Sequence, residues 1–181
     1  MKYAAILLVL SGALQAGGAH ARQCGDGRIA GVPDALAEPS NNMECNLWGR
    51  AFCRAAENRD LGMEALEAAE DVNNYLRQRM KPTGSHRGTD WSPLARQAAI
   101  FAFQRPELVP GSIYYYSIYS CGTIKHAGQL DPEAASTASS AFEQAAADCM
   151  NQHPPEGLGF PNSSLRECLR TGFSIAFDVA E

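Results

Sequence analysis

Six cysteines carry the most reactive side chains of this 181-residue chain. A thiol can serve as a nucleophile, as half of a redox pair or as a zinc ligand. The sequence contains no Cys-x-x-Cys motif, and the number of cysteines is even. Both observations favour three structural disulfides over a reactive or metal-binding thiol.

The spacing of the cysteines restricts how they can pair. Cys149 and Cys168 fall about one turn inside two predicted helices joined by a short loop, so we expect them to be bonded. Cys45 and Cys53 lie on one predicted helix about 12 Å apart, which exceeds the ~7 Å between bridged Cα atoms. Two assignments then stay open: Cys24–Cys45 with Cys53–Cys121, which we prefer, and the crossed pairing.

Three acidic side chains recur at helical spacing in the second predicted helix. Glu64, Glu67 and Asp71 share one face of that helix. Paired carboxylates can cleave glycosides as acid and base, but one carboxyl must then lie in an apolar pocket that raises its pKa. A row of acids on a helix flank is more typical of a solvated face. If the row has a function, it is better suited to docking a basic protein than to chemistry, so we assign it to a partner-binding surface. An envelope-polymer hydrolase that uses these carboxylates is the alternative.

Histidine gives no stronger signal for chemistry. His86, His126 and His153 are too far apart in sequence to form a zinc motif, and there is no His-Glu-x-x-His. The sequence also lacks a haem-attachment motif, a glycine-rich phosphate loop and a calcium loop. We accordingly predict no catalytic residue, no metal ligand and no cofactor.

A polar loop is predicted over Pro82–Trp91. It carries Ser85, His86 and Arg87 within a glycine-flanked run. Ser85 and His86 with Asp90 are the residue types of a catalytic triad, but they crowd one loop, whereas catalytic triads draw their members from separate elements. We therefore expect Ser85, His86 and Arg87 to contact a partner.

The segment Ile113–Ile124 is ambiguous between helix and strand. Its β-branched and aromatic residues favour a strand, but no partner strand is evident elsewhere in the chain. A lone strand would leave its backbone groups unsatisfied, so we predict a helix. Two interpretations of this tyrosine-rich stretch stay open. The segment crosses the core and buries two or three of the rings, or the rings contribute to a binding surface, to which we assign Tyr115 and Tyr119, because tyrosine combines apolar area with a polar tip.

The N-terminus resembles an export signal. A lysine, an apolar run and an Ala19-His20-Ala21 cleavage site predict that residues 1–21 are removed, leaving residues 22–181 in the periplasm or outside the cell. The chain has a net charge of −5, which argues against nucleic acid and anionic membrane surfaces as partners and favours a cationic protein.

Periodicity and capping signals predict an all-α fold, a compact single-domain bundle of five or six helices stapled by three disulfides. The predicted helices cover about 42–57, 60–81, 92–105, 113–124, 131–152 and 164 onward, after an irregular arm over 22–42. The third helix is apolar on all sides, so we expect it to be central. Asp60, Ser92, Asp131 and Ser164 are the expected N-caps.

These observations lead to three functional hypotheses. The first is an exported, non-enzymatic protein-binding domain, and the other two are the hydrolase and a structural or stress-related periplasmic protein. In organisation (leader, helical domain, few disulfides) the chain resembles the immunity proteins that protect bacteria from type VI secretion effectors, although no motif carries this resemblance. It implies an inhibitor that neutralises a periplasmic or cell-wall-directed toxin or hydrolase.

Overall fold

Helices make up most of the chain that the computed structural model describes, namely residue 24 and residues 43–79, 89–154 and 163–178. They are α1 (Met43–Asp60), α2 (Ala65–Arg79), α3 (Ser92–Gln104), α4 (Pro110–Ala127), α5 (Pro132–Gln152) and α6 (Ser163–Asp178). These ranges contain no strand, so the predicted all-α fold is confirmed. No helix among them has the length and apolar character needed to cross a bilayer. The predicted leader lies outside the described residues, as does the predicted arm apart from Cys24.

The segment that the sequence left ambiguous is the helix α4. It spans Pro110–Ala127, so the helical prediction is correct. A helix satisfies its backbone hydrogen bonds internally, and a stretch rich in isoleucine and tyrosine then needs no partner strand. Eleven residues of α4 are buried, which accounts for its β-branched and aromatic composition.

The central position belongs to α4 and not to α3. α4 packs against α1, α5 and α6, whereas α3 packs against α1 and α2. The side chain of Ile100 on α3 is 56% exposed, so α3 is not covered on all sides. The expectation of a central α3 is therefore wrong, because an apolar run does not specify how many neighbouring helices will cover it.

Two apolar clusters form the core. The first lies mainly among α4, α5 and α6 and includes the buried rings of Tyr119 and Phe142. The second lies mainly among α1, α2 and α3 and includes Val72 and Leu76. Trp48 of α1 packs against both clusters and so connects them.

Three disulfides join the described helices and Cys24. The bonds are Cys24–Cys53, Cys45–Cys121 and Cys149–Cys168. The predicted Cys149–Cys168 bond is confirmed. The preferred assignment of Cys24–Cys45 with Cys53–Cys121 is wrong, and the crossed pairing is the observed one. Three disulfides are typical of proteins in an oxidising environment outside the cytosol.

The antiparallel packing of α1 and α4 explains this pairing. Cys45 is bonded to Cys121, and one turn later in α1 a Cβ placed on Gly49 would lie 2.7 Å from a side-chain carbon of Ile118, which precedes Cys121 in α4. The chain therefore runs in opposite directions along α1 and α4. Cys53 lies two turns beyond Cys45, or about 12 Å, and is carried away from Cys121.

One of the four predicted N-caps is confirmed in full. The Asp131 carboxylate accepts hydrogen bonds from the backbone N–H groups of Glu133 and Ala134, both at 3.0 Å. A proline follows directly at the first helical position. This arrangement satisfies two of the N–H groups that the start of a helix leaves unpaired.

The predicted serine caps are wrong. Trp91 occupies the N-cap position of α3 and makes no side-chain cap, so Ser92 is already helical. Its backbone N–H donates instead to the carboxylate of Asp90 at 3.0 Å. α6 begins at Ser163, so Ser164 also lies inside its helix.

The start of α2 also differs from the prediction. α1 continues to Asp60, so this residue ends one helix and does not cap the next. The chain then turns through Gly62, whose φ of 83° lies in the region that glycine favours. Leu61 lies in this turn and is 53% exposed.

The guanidinium of Arg59 fixes the end of α1 to the end of α3. It donates hydrogen bonds to the backbone carbonyls of Ala102, Arg105 and Leu108, each at 2.8 Å. The last carbonyls of a helix have no partner within the helix, and a guanidinium carries five donors in a fixed plane. Arg59 thus holds the α3–α4 connection against α1.

Candidate functional site

The outer side of α2, together with the residue just before it, carries three acidic residues and one large apolar residue. Glu64, Leu66, Glu67 and Glu70 are all exposed, and the Leu66 side chain is 71% exposed. We call these four residues the acidic face. Within the described residues, none of the three carboxylates takes part in an ion pair. The acidic face therefore presents negative charge beside apolar surface, which is a composition suited to a basic protein partner.

Glu64 and Glu67 were assigned to this surface from the sequence, but Glu70 and Leu66 were missed. Glu70 follows Glu67 by three residues, and this spacing alone places both on one side of a helix. Leu66 precedes Glu70 by four residues, which places it on the same side. The signal for both was present in the sequence.

Asp71 does not belong to the acidic face. Its carboxylate accepts two hydrogen bonds from Arg54 of α1, from Nε at 2.6 Å and from Nη2 at 3.0 Å. The side-chain amide of Asn58 donates a third at 2.8 Å. The expectation that Asp71 shares an exposed face with Glu64 and Glu67 is corrected, because its side chain points inward to α1.

A polar network surrounds this ion pair. Asn58 is fully buried, and the Arg54 guanidinium also lies over the Tyr75 ring, 4.7 Å from its centre. Arg79 approaches the same ring at 5.8 Å. Because Asp71 and Tyr75 both belong to α2, these contacts fix its rotation about its own axis. The acidic face is thereby held toward solvent.

The tyrosines predicted to bind a partner lie in the core. Tyr115 is 4% exposed and Tyr119 is fully buried, so the expectation that they project from the surface is wrong. α4 is covered by helices on several sides, and this covering was not apparent in the sequence. Burial raises the pKa of Tyr114 to about 12 and also raises the pKa of Tyr115.

The predicted contact loop cannot be placed. Ser85, His86 and Arg87 lie outside the described residues, so their role stays a prediction. Asp90 at the end of the same loop is described and exposed, and its pKa is lowered mainly by the hydrogen bond from the backbone of Ser92.

A groove of about 830 Å³ runs between α5 and α6. The Cys149–Cys168 disulfide and Gly172 line it together with two carboxylates, those of Asp148 and Glu167. None of the acids singled out in the sequence lies there. Within the described ranges there is no group of three or more His, Cys, Asp or Glu side chains that could hold a metal ion.

The two described histidines have structural surroundings. The His126 ring packs against Phe173 and Phe177, with ring centres 5.4 and 5.2 Å apart. His153 is the C-cap of α5, and its backbone N–H donates to the carbonyl of Cys149 at 3.0 Å. The two residues lie at the ends of different helices.

Comparisons with protein-family models, with curated proteins and with solved structures find no match to this chain.

Proposed function

We propose that this protein is an exported, non-enzymatic binding protein that docks a basic protein on the acidic face of α2. It works in the periplasm or outside the cell, as the predicted leader and the three disulfides suggest. The observation that carries the proposal is the set of three exposed carboxylates around the exposed Leu66, on a helix whose inner side is fixed by Arg54 and Asp71.

The rigid position of α2 favours a role in binding. The partner meets side chains on a helix that disulfide-linked α1 holds in place, so little backbone order must be gained on association. The exposed leucine provides apolar area at the centre of the contact, and the carboxylates provide charge at its rim. In such an interface the rim charges mainly accelerate association and select for partners of opposite charge.

The same residues give little support to the hydrolase alternative. That hypothesis needs one carboxyl in an apolar pocket and a second across a cleft. Glu64 and Glu67 are exposed on a convex helix, and Asp71 is engaged by Arg54 and Asn58. The binding protein is thus the interpretation that these contacts favour, with inhibition of a toxic or cell-wall-directed enzyme as its biological role.

Charge reversal tests the proposal. The immobilised wild-type protein is compared with the variant Glu67→Lys/Glu70→Lys for retention of proteins from the native periplasmic or secreted fraction. The matched control is Glu133→Lys/Asp148→Lys, which changes the net charge equally on exposed positions of α5. We expect the α2 variant to retain about tenfold less of the partner than the wild-type protein does. The control variant should retain the same amount as the wild type.

Salt provides the second readout. Retention should fall steeply between about 0.05 M and about 0.5 M NaCl, because exposed charges are screened over a shorter distance at high ionic strength. Equal retention by both variants, or retention that does not respond to salt, would contradict docking through the acidic face. The absence of any retained protein at low salt would favour the structural or stress-related alternative.

A further inference from the structure

The three disulfides differ in their access to solvent. Cys45, Cys53 and Cys121 are at most 2% exposed, and Cys24 is 8% exposed. Cys149 is 3% exposed, but its partner Cys168 is only partly buried. Among the described disulfides, Cys149–Cys168 is the one that includes a residue of intermediate exposure, Cys168.

The groove between α5 and α6 leads to this bond. Both cysteines line the groove, which is large enough for a small thiol or for the tip of a protein loop. Thr171 and Gly172, one turn after Cys168, line the same wall. The groove therefore brings an external thiol beside Cys168 while the helices stay folded.

We propose that Cys149–Cys168 is a thiol-exchange site, at which an external dithiol enters the groove and attacks Cys168. The attacking thiolate forms a bond to Cys168 Sγ as the bond between Cys149 and Cys168 breaks. Cys149 leaves as a thiolate and takes a proton from water in the groove. The second thiol of the reagent then attacks the mixed disulfide, so that the reagent is oxidised to a disulfide and both cysteines become thiols.

The charges of the groove define the class of thiol. Asp148 and Glu167 line it, and the Glu167 carboxylate is paired with Arg170, which lowers the pKa of that carboxyl. The Asp148 carboxylate, which also lines the groove, accepts a long 3.4 Å hydrogen bond from the amide of Gln144. Neutral or cationic thiols should react faster than anionic ones because the local potential repels a second negative charge.

Apolar packing keeps α6 in place when the bond opens. Leu165, Leu169 and Ala176 are at most 1% exposed, and Phe173 packs against Phe142 of α5. These contacts do not depend on the disulfide. Exchange at this bond is therefore a local event, separate from the acidic face of α2 and independent of the function proposed for it.

Timed reduction tests the proposal. The folded protein is exposed to dithiothreitol under native conditions, quenched with an alkylating reagent and mapped by mass spectrometry. We expect Cys149 and Cys168 to be alkylated about tenfold faster than the other four cysteines, because exchange rates follow access to the sulfur. Simultaneous loss of all three bonds, or earlier loss of Cys24–Cys53, would overturn the proposal.

The site of attack is tested with the monothiol cysteamine. The mixed disulfide should be trapped on Cys168 with Cys149 alkylated, and mercaptosuccinate, which carries two carboxylates, should react several-fold more slowly. A mixed disulfide on Cys149, or equal rates for the two reagents, would contradict the assigned sulfur or the assigned class of thiol.

A blocked groove provides the matched comparison. Thr171→Trp places a large ring in the groove, whereas Ser174→Trp places the same ring at an exposed position of α6 that does not line it. We expect the first variant to slow reduction of Cys149–Cys168 by about tenfold and the second to leave it unchanged. Circular dichroism verifies that both variants are folded, and equal reduction rates in folded variants would exclude the groove as the route.

Discussion

Arg54 and Asp71 join α1 to α2 through a two-point ion pair, with N–O distances of 2.6 and 3.0 Å. The two side chains are 16% and 27% exposed, so the pair is largely shielded from solvent. This contact gives Asp71 a structural role, although helical spacing alone groups it with two exposed glutamates. A carboxylate that accepts three hydrogen bonds from α1 acts as a structural element, and it fixes which side of α2 faces outward.

Replacing Asp71 should therefore destabilise the fold. We expect Asp71→Asn to lower the free energy of unfolding by about 1.5–3 kcal/mol, because charged hydrogen bonds are lost and the Arg54 guanidinium is left without its partner. Urea denaturation measures the change, and a double-mutant cycle with Arg54→Met isolates the pair. Glu70→Gln on the exposed side is the control and should change stability by less than about 0.5 kcal/mol. Equal effects of the two substitutions would contradict a structural role for Asp71.

Arg59 should be among the charged residues whose replacement lowers the stability of the fold most. Its three hydrogen bonds to the carbonyls of Ala102, Arg105 and Leu108 close the end of α3, and we expect Arg59→Met to cost about 2–4 kcal/mol. Arg105→Met removes an exposed ion pair with Glu107 and should cost about 0–1 kcal/mol. Thermal unfolding compares the two variants. If they unfold at the same temperature, the carbonyl contacts do not stabilise the bundle.

Gly172 allows α5 and α6 to approach closely. A Cβ at this position would lie 2.8 Å from the Cβ of Ala145, an atom that cannot move without its backbone. We expect Gly172→Ala to destabilise the protein by about 1–2 kcal/mol, since overpacking outweighs the gain of about 1 kcal/mol in helix propensity. Denaturant unfolding measures this change. Ala145→Gly relieves the clash but itself loses about 1 kcal/mol in helix propensity, so the double variant should be more stable than the sum of the two single effects predicts; additive effects would show that the contact is not the cause.

Alkaline pH should weaken the fold through Tyr114. Burial raises its folded-state pKa from 10 to about 12, so the unfolded state releases the phenolic proton first. The stabilisation is complete below pH 10 and is lost as pH rises toward 12, with a total of about 2–3 kcal/mol by linkage. Urea titrations at several pH values measure this slope. Tyr114→Phe should make it shallower, while the raised pKa values of Tyr115 and Tyr116 leave some slope behind.

The capping patterns in the sequence differed in how well they predicted the helices. A cap followed by proline predicted the start of α5 correctly, because Asp131 bonds directly to the backbone of the next turn. The same pattern at Ser92 placed the start of α3 at the right residue but gave Ser92 the wrong role. Ser92 is already helical, and its backbone N–H donates to the preceding aspartate, Asp90. Local pattern thus identified the starts of α3, α5 and α6 within one residue but not all of the side chains that cap them.

The candidate site was predictable only in part. Glu64 and Glu67 were identified, and Glu70 could have been, since helical spacing determines which residues share a side. That Asp71 turns inward required knowledge of α1, where Arg54 and Asn58 supply its hydrogen bonds. The predicted exposure of Tyr115 and Tyr119 was wrong for a related reason. Whether these side chains are buried depends on helices that are distant from α4 in sequence.

The sequence by itself determined the helical class, the presence of three disulfides and the Cys149–Cys168 bond. These follow from periodicity, composition and the short connection between two adjacent helices, which are local properties of the chain. Tertiary structure decided the pairing of Cys45 with Cys121, the central position of α4 and the orientation of α2. Each of these depends on how helices far apart in the sequence pack, and an apolar stripe specifies that a helix is buried without specifying its neighbour.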